Sequence, residues 1–376
     1  MSPLVVFSHL RWDFVYQRPQ HLLSRLAERR PIVVVEEPVH DAAVEGGAEP
    51  FAERQTPAPG VTVVRVHTGL HEPGFTDAQM DAMQPVVASL TRELGPVDVW
   101  FYTPMALPLL DAVSEPGVVV FDVMDELSAF DFAPPELLAR EQRLLERADV
   151  VFTGGPSLYR AKKDRADNVH LFTSSVDAAH FATALPGGGL SDPDDQAGIP
   201  HPRLGFFGVI DERLDRDLLA ALAAAHPEWQ IVLAGPIVKI DPASLPQAPN
   251  LHLLGPKAYA DLPAYLAGWD VAILPFARNR STEFISPTKT LEYMAAEKPI
   301  VSTPIRDVAE PYSEIVRLGD TAAEFISACE EALANAEGPE RVAGMRRVLA
   351  ATSWDRAAEA MEALIEEARM AAVTTS

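Results

Sequence analysis

The sequence predicts an α/β protein of two Rossmann-like, doubly wound domains facing one another across a cleft. Three observations predict it. Short apolar, β-branched runs alternate with amphipathic helical stretches, the pattern of parallel sheets covered on both faces. The alternation stops between Ala182 and Pro202, where ATALPGGGLSDPDDQAGIPHP has no hydrophobic period and is dense in Gly, Pro and Asp, and then restarts. Finally, 376 residues with 48% hydrophobic content are too many for one ordinary core and enough for two. The expected limits are 1–181 for the first domain, 182–202 for a linker, 203–352 for the second domain and 353–376 for a C-terminal helix packing back on the first.

Taken in order, LVVFS (Leu4 to Ser8) is the first strand, followed by the loop HLRWDFVYQRP and a helix with Leu22, Leu23 and Leu26 on one face. IVVVEEP and VTVVRV (Val61 to Val66) are the next strands, separated by a soft stretch rich in Ala, Glu and Pro. Thr76 and Gln79 form a capping-box pattern ahead of a helix carrying Met80, Met83, Val87 and Leu90, which Pro85 should kink. VDVWFY, VVVFDV, DVVFTGG and VHLF complete the first set of strands, with a helix from about Pro135 to Arg147 among them. The second set is RLGFFGV, QIVLAG, NLHLLG, DVAILPF, PIVST and IVRLG, and three helical segments end the chain, the last with Trp354, Met361, Leu364 and Ile365 as its apolar positions.

A net charge of −23 leaves no electrostatic excess for binding a nucleic acid and disfavours broad adhesion to anionic lipid. Arg25, Arg29 and Arg30 form the one local basic patch, so transient attachment at the inner membrane face stays open. No apolar run approaches a membrane span, the start MSPLVVFSHLRWD lacks a secretory signal, and the single Cys329 excludes a disulfide framework and a Cys-based zinc site. A cytoplasmic location is expected. GxGxxG after the first strand, GxxxxGK[ST], HExxH and GxSxG are all missing, which removes the main support for dehydrogenase, P-loop, zincin and serine-hydrolase readings. No metal-ligand cluster is expected either.

SPTKTLEYMAAEKPIVST (Ser286 to Thr303) reads as loop, helix and strand. Ser286 is a candidate N-cap, Pro287 suits the first helical position, and Thr288 and Lys289 lie in the first turn. A cation there is opposed by the helix dipole unless an anion docks, and diphosphate is the obvious one. Glu292, at i+3 from Lys289, shares its face and suits ribose hydroxyls. The alternative is a solvated Lys/Glu pair on a surface helix.

The same residues, preceded by DVAILPF and LHLLGPKAYADLPAYL, resemble the donor-binding half of glycosyltransferase family 4, whose enzymes have the GT-B fold. SSVDAAHF (Ser174 to Phe181) is similar to the family's Asn-Gly-Val-Asp-x-x-x-Phe segment at the end of the first domain. SHLRWDFVYQRPQHLLSRLA (Ser8 to Ala27) and FDVMDELSAF (Phe121 to Phe130) resemble segments of bacterial members that build surface polysaccharide or cell-wall glycan. The resemblance implies a hexosyltransferase acting with retention, using a nucleotide-sugar, UDP-linked as first expectation, with no obligatory cofactor or metal. Glu292 then matches the ribose ligand, Lys289 and Thr288 the diphosphate positions, and Gly255 to Ala258 the stretch whose backbone reads the base. Gly208, Ser286 and Pro287 join them as donor-binding candidates. Two positions depart from the pattern. Phe284 stands where the family has a Glu that touches the donor sugar, leaving the adjacent Glu283 as substitute. Val209 stands at the expected Arg, with Arg213 the nearest replacement for the charge.

A glycan or lipid-linked acceptor should then meet the first domain. Asp13, Asp122, Asp125 and Glu126 stand at or just after strand ends there, and any could orient or deprotonate a hydroxyl. Asp125 is preferred, with Asp13 and His9 as further catalytic candidates, although Asp122 and Asp125 equally suit a turn cap. Trp12, Tyr16, Gln17 and Arg18 make an aromatic and polar loop that fits a sugar or an acceptor phosphate, or a Trp packed under its own loop. An epimerase of the same fold and a nucleotide-sugar binder without turnover are the competing functions; the sequence does not specify the oligomeric state.

Overall fold

The computed structural model describes residues 1–131, 133–335 and 338–375, the last four of these by their backbone alone. The chain divides into two compact units, Met1–Thr173 with Trp354–Ser376, and Ser174–Ser353.

Unit 1 carries strands β1 (Leu4–Ser8), β2 (Ile32–Glu36), β3 (Val39–His40), β4 (Phe51–Ala58), β5 (Val61–Thr68), β6 (Val97–Phe101), β7 (Pro116–Val123), β8 (Val150–Thr153) and β9 (Val169–Leu171). Their order is β3-β5-β2-β1-β6-β7-β8-β9, with β4 paired antiparallel to β5 and the other pairs parallel. The central strands are buried on both faces, which is why they read as unbroken apolar runs. β4 lies in the stretch that sequence reads as soft. It is a mostly exposed partner of β5 with charges along it, and its ladder shifts register between Gln55 and Ala58, around Pro57, which has no amide hydrogen to donate.

The C-terminal helix, Trp354–Thr375, packs on unit 1. Trp354, Ala358, Met361 and Ile365 enter the same core as Leu22, Leu23, Leu26 and Trp100. Trp354 stacks on His21 with ring centroids 4.8 Å apart. Buried Arg30 reaches Asp98 at 2.5 Å and Glu362 at 3.1 Å, and Arg369 also pairs with Asp98, so charge fixes the helix's register as well as its apolar face.

One sequence expectation in unit 1 changes. The helix Asp77–Leu94 starts at Thr76 without a capping box: Gln79 turns away to accept from Thr68 Oγ1 at 2.8 Å and to donate to the Glu72 carbonyl. Pro85 sits inside this helix, which runs on to Leu94.

Unit 2 carries β10 (Arg203–Phe207), β11 (Gln230–Ala234), β12 (Leu251–Gly255), β13 (Val271–Leu274), β14 (Ile300–Ser302) and β15 (Arg317–Leu318), all parallel in the order β12-β11-β10-β13-β14-β15. The chain winds outward in both directions from β10, so the switch point lies between β10 and β13, beyond whose carboxyl ends such sheets bind ligands.

The expected linker is part of this unit, and the boundary falls at residue 173 rather than 181. Within 182–202, Gln196 is fully buried. Its Oε1 accepts from Trp269 Nε1 at 2.9 Å, and its Nε2 donates to the Tyr265 carbonyl at 3.1 Å. Arg203 donates to the Ile199 carbonyl and to Asp192. Such a segment is held by specific polar bonds, which leave no hydrophobic period to read. The Ser174–Phe181 segment likewise begins unit 2 instead of ending unit 1.

Candidate functional site

At the carboxyl end of the unit 2 sheet, β10 gives way to Gly208, at φ +131°, a conformation that disfavours any side chain. A Cβ there would also lie 2.1 Å from Lys289 Cε. The lysine stem therefore crosses the bare face of the glycine, with Nζ 5.4 Å from the Phe206 ring centroid. Gly235, at the exit of β11, approaches so closely that a Cβ would meet the Gly208 carbonyl oxygen at 1.8 Å. The loop that follows Gly208 is tied on both sides: Ile210 donates to the Pro236 carbonyl, Ala277 donates to the Arg213 carbonyl, and Asn279 Nδ2 donates to the Glu212 carbonyl.

The helix that supplies Lys289 spans Thr288–Ala295, with Pro287 as N-cap and no side-chain cap bond. Ser286 thus precedes the cap, and Pro287 stands one place earlier than expected. Leu291, Met294 and Ala295 face the core as their spacing predicts, and the Tyr293 hydroxyl, also buried, accepts from the Phe207 amide at 3.3 Å, tying the helix to β10. Glu292 is 8% exposed and accepts no hydrogen bond from a described residue. Burial pushes its carboxyl up to about 7, against the opposing pull of the Lys289 charge. The hydroxyls of Thr290 and of Thr303, just past β14, are also buried without a partner among the described residues. Sequence reasoning did not single out those two, because nothing in their spacing distinguishes them from core threonines.

Arg213 forms a fork on buried Asp211, with contacts of 2.7 to 3.1 Å, so its charge is already answered within its own loop. Glu283 is exposed and lines a cavity of about 480 Å³ with Arg278, Arg280 and Arg306, while Phe284 is half-buried. Gly255 has φ +71°, and near its end of β12 the Tyr259 ring stacks on His180 at 4.7 Å.

The unit 1 candidates are placed differently. Asp13 is exposed and accepts from Arg65 Nη2 at 2.9 Å; that bond holds its carboxyl below the usual range and makes it a weaker base. Arg65 and Arg11 both reach the fully buried Glu36, whose Oε1 accepts from the Trp12 amide at 2.6 Å. Glu36, unnoticed in the sequence, thus organises the Trp12 loop, and Trp12 itself packs on the core. Asp122 is buried in a forked pair with Arg18, at 3.0 and 2.9 Å, and Arg18 also donates to the Phe172 carbonyl. Glu126 pairs with buried Lys162 at 2.6 Å. The Asp122 and Glu126 side chains thus hold structure together. Asp125, half-buried, follows β7 by two residues, and His9 follows β1 directly.

Residues 201–336 match the family model for group 1 glycosyl transferases. The chain is 28% identical over 275 residues, 68% of each protein, to TuaH of Bacillus subtilis (strain 168), described as a teichuronic acid biosynthesis glycosyltransferase. Both matches support a bacterial glycosyltransferase similar to family 4. Among solved structures, its fold is similar to a sucrose-phosphate synthase of Thermosynechococcus elongatus, with TM-score 0.75, 15% identity and coverage of 99% of this chain and 100% of that one. It is also similar to Anabaena HepE in complex with UDP, with TM-score 0.66, 16% identity and coverage of 98% and 100%. An E. coli trehalose-6-phosphate protein bound with UDP-2-fluoro glucose follows, with TM-score 0.65, 14% identity and coverage of 98% and 99%. The chain therefore has the GT-B fold of these structures. Among its described residues no helix is long and apolar enough to cross a membrane.

Proposed function

We propose that this glycosyltransferase binds a UDP-sugar on unit 2 and transfers its hexosyl group, with retention, to a glycan or lipid-linked acceptor of surface polysaccharide or cell-wall glycan. The observation that carries the reading is the placement of Lys289 across Gly208, with Glu292 buried and unbonded one turn further on. Lys289 and the first-turn amides of Thr288–Ala295 answer the diphosphate, Glu292 accepts from the ribose hydroxyls, and the bare surface of Gly208 lets the phosphates approach backbone. UDP is favoured because the HepE and trehalose-6-phosphate structures carry UDP or a UDP-sugar. The relation to the Bacillus protein supports the acceptor class.

In the transfer, the bond from the anomeric carbon to the diphosphate breaks, the acceptor oxygen bonds to that carbon, and the acceptor proton passes to a diphosphate oxygen. Stabilising the departing charge is then the protein's main task, which suits Lys289 better than it suits a carboxylate base. The pairing of Asp13 with Arg65 supports that route, because a carboxylate held ionised by an arginine gains little from taking a proton. Asp125 is left to orient the acceptor hydroxyl.

A thermal-shift screen over UDP, GDP, dTDP and their glucose conjugates tests the donor assignment. UDP and UDP-glucose should raise Tm most, and Lys289→Ala should weaken UDP-glucose binding roughly a hundredfold, the loss of one charge-assisted contact in a shielded site. Unchanged affinity in that variant would remove Lys289 from the site.

A further inference from the structure

We propose that His40, Glu45 and His71 form a surface site in unit 1 for a divalent transition metal, with Zn²⁺ as its ion. His40 ends β3, Glu45 ends the short helix Ala42–Glu45, and His71 follows β5. Three backbone features bring them together. β3 lies against β5 with His40 opposite Thr68. Asp41 caps the short helix, its Oδ1 accepting from the amides of Ala43 at 2.8 Å and Val44 at 3.4 Å. Gly69 sits so tightly on that helix that a Cβ would stand 2.8 Å from Glu45 Cα, which pins the segment leading to His71 onto the Glu45 backbone.

The result is one donor atom from each side chain, all within 4.8 Å of one another. Glu45 Oε2 lies 3.1 Å from His40 Nε2, and its Oε1 lies 3.6 Å from His71 Nε2. Zinc bonds of about 2.0–2.2 Å in tetrahedral geometry need donor atoms roughly 3.3–3.5 Å apart, and two imidazoles with one carboxylate are a zinc donor set that leaves the fourth position to water. The nearby His67 is occupied on both ring nitrogens, by Asp41 and Glu53 at 3.1 Å each, and stays outside the set. The His40 and His71 rings are stacked, 3.7 Å apart with 18° between their planes. Parallel lone pairs do not converge, so the ion must fan the rings apart, and the 73% exposure of the His71 side chain leaves it free to swing. Metal bonds then replace the contacts of Glu45 to the two rings, and the ion clips the edge strand β3 to the segment after β5. The chain's net charge of −23 raises the local concentration of cations around such a site.

Titration calorimetry with Zn²⁺ on the tag-free, chelator-treated full chain tests this. One Zn²⁺ should bind. His40→Ala and His71→Ala should each weaken it by more than about tenfold, the smaller penalty seen when only a supporting partner of a ligand is lost. His226→Ala is the control: that ring faces Glu228 and Glu330 from its two opposite nitrogens, so the two carboxylates cannot share an ion with it, and binding should not change. Circular dichroism confirms that the variants fold. Absence of Zn²⁺ binding by the parent chain, or parental affinity in both His40→Ala and His71→Ala, overturns the proposal and leaves a His40–Glu45 hydrogen bond with the His71 ring stacked beside it.

Discussion

In unit 1 the buried charges answer one another: Arg18 with Asp122, Arg30 with Asp98 and Glu362, Lys162 with Glu126 and Glu141. At the carboxyl end of the unit 2 sheet, Glu292 is buried to a similar degree, its carboxyl raised by burial against the pull of Lys289, and the hydroxyls of Thr290 and Thr303 are buried without a partner among the described residues. Desolvating a carboxylate is costly, and the Lys289 charge offsets only part of that cost at Glu292. On the proposed reading, the contrast separates charges that hold the fold from a charge kept for a ligand. It also explains why acidic residues at strand ends, alike in sequence, divide so unequally between the two roles.

The sharpest break of this contrast is Asp98→Ala. Removing Asp98 leaves Arg30 wholly buried with only Glu362 and strips Arg369 of its main partner. Breaking a buried network of this kind costs about 3–5 kcal/mol. Urea unfolding should show that loss at neutral pH, together with release of the C-terminal helix. A loss below about 1 kcal/mol, the level of an exposed pair, would mean that the apolar face of the helix alone fixes its docking.

Glu292→Gln should act in the opposite direction. The folded carboxyl is raised from 4.5 to about 7, so between those values the folded chain holds a proton that the unfolded chain has released. Stability therefore falls as pH rises through this window, by about 3 kcal/mol in all, and the amide escapes that fall. The variant should match the parent in urea at pH 4 and exceed it at pH 8. UDP-glucose binding should reverse the order: the parent gains affinity from pH 6 to pH 8 as Glu292 ionises to accept the ribose hydroxyls, and the variant does not. Equal pH profiles for the two proteins would place Glu292 outside the nucleotide site.

How much of this was legible follows from range. The sheets could be read because a parallel strand buried on both faces is an apolar run wherever it pairs. Lys289 and Glu292 could be read because one helical turn relates them. Partners far apart in the chain could not: Arg18 meets Asp122, and Asp13 meets Arg65, through folding that no local pattern announces. The 182–202 segment was misread for a related reason, since its Asp and Gln side chains find single specific donors in place of a periodic apolar face. β4 escaped notice because an exposed strand with alternating charge and a proline looks like a loop.

Asp13→Asn is the mildest test and the one that reaches into catalysis. Asp13 is exposed and its partner Arg65 keeps a second, buried partner in Glu36, so losing the charge should cost less than about 1 kcal/mol of stability. If the leaving diphosphate takes the acceptor proton, turnover should also stay near the parent value, within roughly twofold, with no change in its pH profile. The carboxylate is already held ionised by Arg65, so its pKa lies too low to be matched to proton transfer near neutrality. A fall of about a hundredfold or more in kcat, with KM for UDP-glucose unchanged, is what a lost general base produces. That outcome would return Asp13 from the paired charges of unit 1 to the working ones and blur the division on which the comparison rests.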